Sequence, residues 1–267
     1  MKTVLYKPND FRERCLGCGL HSPDTKEHVY PVWLLKETKT WNYPIGWISG
    51  KKIPGKNCVF PICNDCNQIF NDMLEGPFHK IFKKIKEKGS INDYEAEIVI
   101  RWMWKTTQLF YMISQKRENV AWSTNVREKS TSPIERPRSR ISLALALTKD
   151  NIENKAGAEP LGLDVLPKYS VVLSAGVFSN ISIITFYSKY RNLIPNEYDV
   201  HTLLSESNKD QEMEIIINHS FSDSFSAIDT TIKVANKLLP LHEKDCLDFG
   251  AAIGINPFVG DPYKIIS

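Results

Sequence analysis

The pattern of apolar and polar positions changes character several times along the chain. Residues 27–34 (Glu27-His28-Val29-Tyr30-Pro31-Val32-Trp33-Leu34) alternate enough to predict a short strand ending near the proline. Turn-forming residues then crowd together (Asn42, Pro44, Gly46, Gly50, Pro54, Gly55) and predict a loop. Cys58-Val59-Phe60 reads as the returning strand, with Pro61 turning the chain. From Asn64 to Glu75 the spacing becomes helical: Ile69, Met73 and Phe70 are expected to face inward, and Gly76-Pro77 to stop the helix. Residues 77–88 predict a second helix, with Pro77 at its first position, Gly89 just past its end, and Phe78, Phe82 and Ile85 as its apolar stripe. Asn92 and Glu95 have the spacing of a capping box for a third helix running to about Gln115. That helix is apolar around much of its circumference (Ile98, Val99, Trp102, Met103, Leu109, Phe110, Ile113), which predicts burial.

The second half reads differently. Residues 123–140 are rich in Ser, Pro and Arg, as in a connector. Beyond them Ile141–Leu147, Ser170–Leu173, Ile181–Tyr187 and Met213–Ile217 predict strands, and a helix from about Ser226 to Leu239 precedes a Gly/Pro-rich tail. No internal repeat or low-complexity tract is present.

Composition adds the class of protein. With 42% hydrophobic and 24% charged residues over 267, the chain has the make-up of an ordinary globular protein. No run approaches the roughly 18–20 apolar residues of a membrane span. Lys2, Lys7 and Asp10 break up the apolar stretch at the start, so neither a secretory signal nor a membrane role is expected, and a cytoplasmic setting is. Six cysteines are too few for a disulfide scaffold of this size, and four of them form two knuckles, Cys15-Leu16-Gly17-Cys18 and Cys63-Asn64-Asp65-Cys66. Two C-x-x-C pairs far apart in a chain suit a closed tetrahedral zinc site, in which Cys15, Cys18, Cys63 and Cys66 are the ligands. A net charge of +3 says little about partners, but its distribution says more. Lys80, Lys83, Lys84, Lys86 and Lys88 form one basic cluster, and Arg127, Lys129, Arg136, Arg138 and Arg140 a second; both are candidates for phosphate contact. Trp33, Trp41 and Trp47 are candidates for base stacking or for the core.

Between the two knuckles lies Glu27-His28-Val29-Tyr30-Pro31, and the second knuckle runs directly into Asn67, with Asn71 one helical turn later. Acid-His, an apolar residue, x-Pro and then C-x-x-C-Asn resembles the HNH (ββα-metal, His-Me finger) endonucleases, over residues 15–75. The resemblance implies His28 as the general base that takes a proton from the attacking water. It implies Glu27, where most relatives have Asp or His, as a direct or water-bridged ligand of a catalytic Mg²⁺ or Mn²⁺. It implies Asn67, ahead of Asn71, as a further ligand, and products with 5′-phosphate ends. Asn57 is the nearest candidate for the residue whose carbonyl orients the base in that family.

These readings combine into an α+β protein. Residues 1–76 are expected to form an N-terminal zinc-stapled ββα-metal module, 77–122 a helical middle segment packing on it, 123–140 a basic linker, and 141–267 a mixed α/β accessory domain. Residues 141–267 match no nucleotide-binding or hydrolase fingerprint, and are expected to recognise a substrate, a partner protein or a second copy of the chain. The expected activity is metal-dependent hydrolysis of phosphodiester bonds in nucleic acid, DNA in the first instance. Nucleases with such appended domains resemble those of bacterial (phage) defence systems and mobile elements. The alternatives are a zinc-stabilised nucleic-acid-binding module without catalysis, and a protein-interaction adaptor.

Overall fold

A computed structural model describes residues 14–46, 52–114, 126–134, 138–149, 161–165, 172–205, 208 and 213–252. Strand β1 (Thr25–His28) leads through Pro31 into a short helix, α1 (Val32–Glu37). The strand expected to reach Leu34 therefore ends at His28, because Pro31 supplies a helix N-cap and Leu34 and Leu35 turn inward as a helical pair. The turn-rich stretch contains a hairpin, β2 (Pro44–Gly46) against β3 (Lys52–Pro54). A tight 3₁₀ turn, Gly55–Asn57, folds back under α1, and a Cβ on Gly55 would lie 2.5 Å from the Thr40 carbonyl oxygen. Only glycine permits that approach. Strand β4 (Val59–Ile62) then pairs antiparallel with β1, His28 opposite Val59 and Glu27 opposite Phe60. Pro61 lies inside β4 rather than ending it, which a two-stranded pair tolerates because each strand has a free edge.

Helix α2 (Asn64–Phe70) starts at the second knuckle, where the Asp24 carboxylate accepts the Asn64 amide hydrogen at 2.7 Å. It passes without a break through a π-helical stretch (Asn71–Glu75) into α3 (Gly76–Lys88). The stop expected at Gly76-Pro77 is absent. Gly76 has helical φ and ψ and its amide reaches back five residues to Asn71, where a Cβ would already stand 3.1 Å from the Asn71 oxygen. The wider turn also accommodates a proline, whose ring would clash with the preceding turn of a regular helix. The extra residue shifts the register: Met73, expected inside, is exposed, while Phe70, Leu74 and Phe78 are buried. Gly89 ends α3 with φ +63°, as its position predicts.

Strand β5 (Ser90–Asn92) precedes α4 (Asp93–Ser114), which begins with the expected reciprocal capping box: the Glu95 amide donates to the Asn92 side chain and the Asn92 amide to the Glu95 carboxylate. Within 123–140, α5 (Val126–Thr131) packs on α4, and Arg138 is buried in ion pairs with Asp93 and Glu97 rather than offered to a phosphate. Lys84 and Lys86 are likewise taken up by Glu95 and Glu37, leaving Lys80, Lys83 and Lys88 as the exposed members of the lysine cluster. Lys129, Arg136 and Trp47 lie outside the described side chains.

The second half is built on a sheet. Its strands are β6 (Ile141–Thr148), β7 (Leu161–Val165), β8 (Ser174–Phe178), β9 (Ile181–Tyr187) and β10 (Asp199–Thr202), in the order β10-β6-β9-β8-β7, all antiparallel. The strand expected at Ser170–Leu173 begins at Ser174; residues 170 and 171 are outside the described set. Of the last two strands, β11 (Glu214–Ile216) pairs with β5, joining the second half to the helical segment, while β12 (His219–Phe221) runs parallel to the end of β6. β6 is buried along its whole length because both faces are covered. Leu143, Leu145 and Leu147 join an apolar cluster that continues through Phe178, Trp102, Phe78 and Phe60 to Cys15, whereas Ala144 and Ala146 face α6 (Ser224–Ala252). Among the described residues no helix is long and apolar enough to cross a membrane.

Helix α6 continues twelve residues beyond Pro240 instead of stopping at Leu239. Contacts beyond the proline hold it: His242 is fully buried and stacks on Tyr187 with ring centroids 4.7 Å apart. The Tyr187 amide donates to His242 Nε2 at 3.3 Å, so that nitrogen must stay unprotonated. Burial lowers the His242 pKa to about 4. The folded state thus refuses a proton that the unfolded chain accepts below about pH 6.5. Stability from this residue is complete above about pH 6.5 and is lost as pH falls toward about 4, by up to about 3 kcal/mol. Denaturant unfolding at about pH 7 and about pH 4.5 is expected to show a larger acid loss for the wild type than for His242→Gln; equal losses would contradict this account.

Candidate metal centre and adjoining cleft

The Cys15, Cys18, Cys63 and Cys66 sulfurs all lie within 4.8 Å of one another, and all four residues are buried. Tetrahedral coordination at about 2.3 Å per sulfur requires separations of roughly 3.8 Å, and Cys18 Sγ stands 3.9 Å from Cys63 Sγ. The backbone is shaped for the cluster: the Gly17 amide donates to Cys15 Sγ at 3.3 Å, and any side chain at Gly17 would meet Cys66. Arg127 donates to Cys66 Sγ at 3.6 Å, placing a positive charge beside the sulfurs. A hydrogen bond from Cys66 lowers Cys15 to about 5, whereas burial pushes Cys63 up to about 11. This group could hold a structural metal such as zinc, with all four positions closed. Cys58 is buried at the opposite end of β4 from Cys63, outside the cluster, and desolvation alone pushes its thiol up to about 12.

Beside the cluster lies an open cleft of about 550 Å³. Its walls include Glu27 and His28 from β1, Asn67 and Asn71 from the helix that leaves the second knuckle, and Glu75 from the π-helical stretch. Pro31, Val32, Trp33, Lys26 and Lys36 complete its lining. Residues expected to act together from their sequence pattern thus share one concavity. The half-buried His28 ring packs 5.7 Å from Trp41 and is hydrogen-bonded to the main chain of Lys56, the neighbour of Asn57. Asn57 itself is exposed. Burial lowers the His28 pKa, opposed by the Glu27 charge and the Lys56 contact. Asn67 donates to Thr25 Oγ1 at 3.3 Å, and the side chain of the exposed Asn71 donates to Asp72 Oδ1 at 3.0 Å.

No protein-family model, no curated protein and no solved structure matches this chain. Its site stands on geometry alone.

Two residues of this region carry no sequence motif. Lys105, fully buried in α4, donates to Glu27 Oε1 at 2.6 Å and to Glu75 Oε1 at 2.5 Å, and its ammonium sits 5.2 Å from the Phe70 ring centre. Burial alone would lower the Lys105 pKa, but the two carboxylates outweigh it and hold it above the ordinary lysine value. Burial raises the pKa of Glu75, against the pull of Lys105. The signals were present: a lone lysine in an apolar helix, and a glutamate continuing the four-residue spacing of Asn67 and Asn71.

Purified protein is expected to carry a single tightly bound zinc ion, worth on the order of 10 kcal/mol to the folded state. Cys63→Ser is expected to lose that zinc, measured by elemental analysis, and to unfold the N-terminal part. A stable Cys63→Ser protein with full zinc content would contradict the four-sulfur site.

Proposed function

We infer that this protein is a metal-dependent endonuclease of the HNH, ββα-metal type, which hydrolyses phosphodiester bonds of nucleic acid, DNA in the first instance, in the cleft beside the cysteine cluster. The observation that carries the reading is the convergence of Glu27, His28, Asn67 and Asn71 on one open concavity. The order β1, β4, α2 supports it, since a strand pair followed by a helix is the frame that this family implies. A sulfur-clamped zinc would hold the frame in shape at the start of α2, whose first turn carries Cys66 and, one residue later, Asn67.

The chemistry follows from the residues. His28, kept neutral by its partial burial, accepts a proton from a water in the cleft as that water's oxygen attacks phosphorus. The bond from phosphorus to the 3′-oxygen breaks, and the departing oxygen takes a proton from solvent water, leaving a 5′-phosphate and a 3′-hydroxyl. The main-chain contact to Lys56 and the Trp41 ring fix the imidazole in one orientation. Glu27, Asn67 and Asn71 offer a carboxylate and two amide oxygens, a hard donor set that suits Mg²⁺ or Mn²⁺ better than a second zinc. Such a cation, when bound, supplies charge neutralisation at the phosphate. Lys26 and Lys36, which also line the cleft, would attract the phosphate backbone.

Supercoiled plasmid incubated with Mg²⁺ or Mn²⁺ is expected to be nicked or cut. His28→Ala is expected to lower the rate by about 100-fold or more with its zinc retained. Binding that survives in a protein that never cleaves would instead favour a non-catalytic nucleic-acid module. The double variant Lys26→Ala, Lys36→Ala is expected to weaken binding for every sequence alike and to reduce the slope of log affinity against log salt by about two. An unchanged slope would place the phosphate contacts elsewhere.

A further inference from the structure

One more carboxylate lines the cleft, at a position to which the family resemblance gives no role. Glu75 is 6% exposed. Its Oε1 accepts from Lys105 at 2.5 Å and from Trp102 Nε1 at 3.2 Å, while its Oε2 is buried with no hydrogen-bond partner among the described residues. A carboxylate removed from water ordinarily has both oxygens satisfied, and leaving one orphaned is costly.

Three further features point the same way. Glu75 closes the π-helical stretch, an insertion that recurs where a helix presents side chains for function. Asn67, Asn71 and Glu75 follow one another at four-residue steps along the continuous helix, so the glutamate extends the line of oxygen donors. Lys105 does not itself line the cleft, yet it grips Glu27 and Glu75 by one oxygen each. The two carboxyl groups thus meet at one ammonium, next to the amide oxygens.

The geometry points to Glu75 as an additional ligand of a divalent cation in this cleft, with Lys105 as the positioning residue that aligns Glu75 with Glu27. This rests on the metal-dependent reading above, but adds a residue that the reading does not need.

The test is a titration of the zinc-loaded, full-length protein with Mn²⁺ alone, read by calorimetry or by the loss of free-Mn²⁺ paramagnetic signal, with zinc content followed in parallel. Wild type is expected to bind a single Mn²⁺ in addition to its zinc. Glu75→Gln keeps the side chain's size and an oxygen for Lys105 and Trp102, and is expected to weaken Mn²⁺ by about 10–100-fold with zinc content unchanged. His28→Ala is expected to bind Mn²⁺ as wild type does. Wild-type Mn²⁺ affinity in Glu75→Gln overturns the assignment while leaving the nuclease reading intact. Mn²⁺ binding that is weakened by Glu75→Gln, in a protein that cleaves no nucleic acid, supports the assignment and removes the nuclease. No Mn²⁺ binding by wild type at millimolar concentration overturns both. Should Glu75→Gln not fold, Glu75→Asp is titrated in its place; its shorter carboxylate is expected to weaken Mn²⁺ severalfold, and an unchanged affinity overturns the assignment.

Discussion

The ammonium group of Lys105, withdrawn completely from water, ties together the parts of this protein that matter for its chemistry. It sits on α4, reaches the strand that carries His28 through Glu27, and reaches the long helix at Glu75. Removing one charge from such a group leaves the others uncompensated, at a cost of about 3–5 kcal/mol. Replacing all three with apolar residues of the same shape would cost far less. The triad is therefore better understood as a device for geometry than for stability. It sets the distance across the cleft floor between two elements that belong to different parts of the sequence.

The cysteine cluster complements it at the start of α2. The first knuckle precedes β1 and the second leads into α2, so gathering the four sulfurs fixes where the strand pair ends and where the helix starts. The Asp24 carboxylate at the Asn64 amide and the Arg127 guanidinium at Cys66 add charge at that same corner. A small strand pair has little core of its own. Here it leans on a larger one: Tyr30 meets Phe178 of the sheet at 6.3 Å and Trp102 meets the same ring at 5.2 Å. The cleft is thus held by two polar clamps and backed by a continuous apolar cluster.

Local chemistry was legible in the sequence wherever a residue type determines backbone shape or ligation unaided. The paired knuckles, the Asn92 and Glu95 capping box, and Gly89 at the end of α3 all lie where their spacing puts them. Reading failed where tertiary context overrides local preference. The stretch after His28 alternates like a strand but becomes a helix, since Leu34 and Leu35 are both wanted inside. Gly76-Pro77 looks like a stop, yet a π turn absorbs it and turns Met73 outward. Arg138 looks like a basic linker residue, and only the fold reveals Asp93 and Glu97 waiting for it. Half of the cleft was visible as a motif; Glu75 and Lys105 were not, because a lone helical lysine and one more four-residue step acquire a chemical meaning only once the fold brings them together.

The π turn has one further effect, on the direction of the long helix's working face. In a regular helix, residues four apart drift by about 40° per step, so a row of donors spirals away from the cleft. Asn67, Asn71, Glu75, His79 and Lys83 are spaced in such steps, the first three lining the cleft and the last two an adjoining pocket that shares Trp33. The wider turn between Asn71 and Glu75 rotates the helix back against that drift. Trp33, stacked on His79 at 4.3 Å, then forms the wall common to both cavities. A helix without the extra residue would carry the same side chains but would not keep them in one row, which explains why the interruption falls within the oxygen-bearing segment and not beyond it.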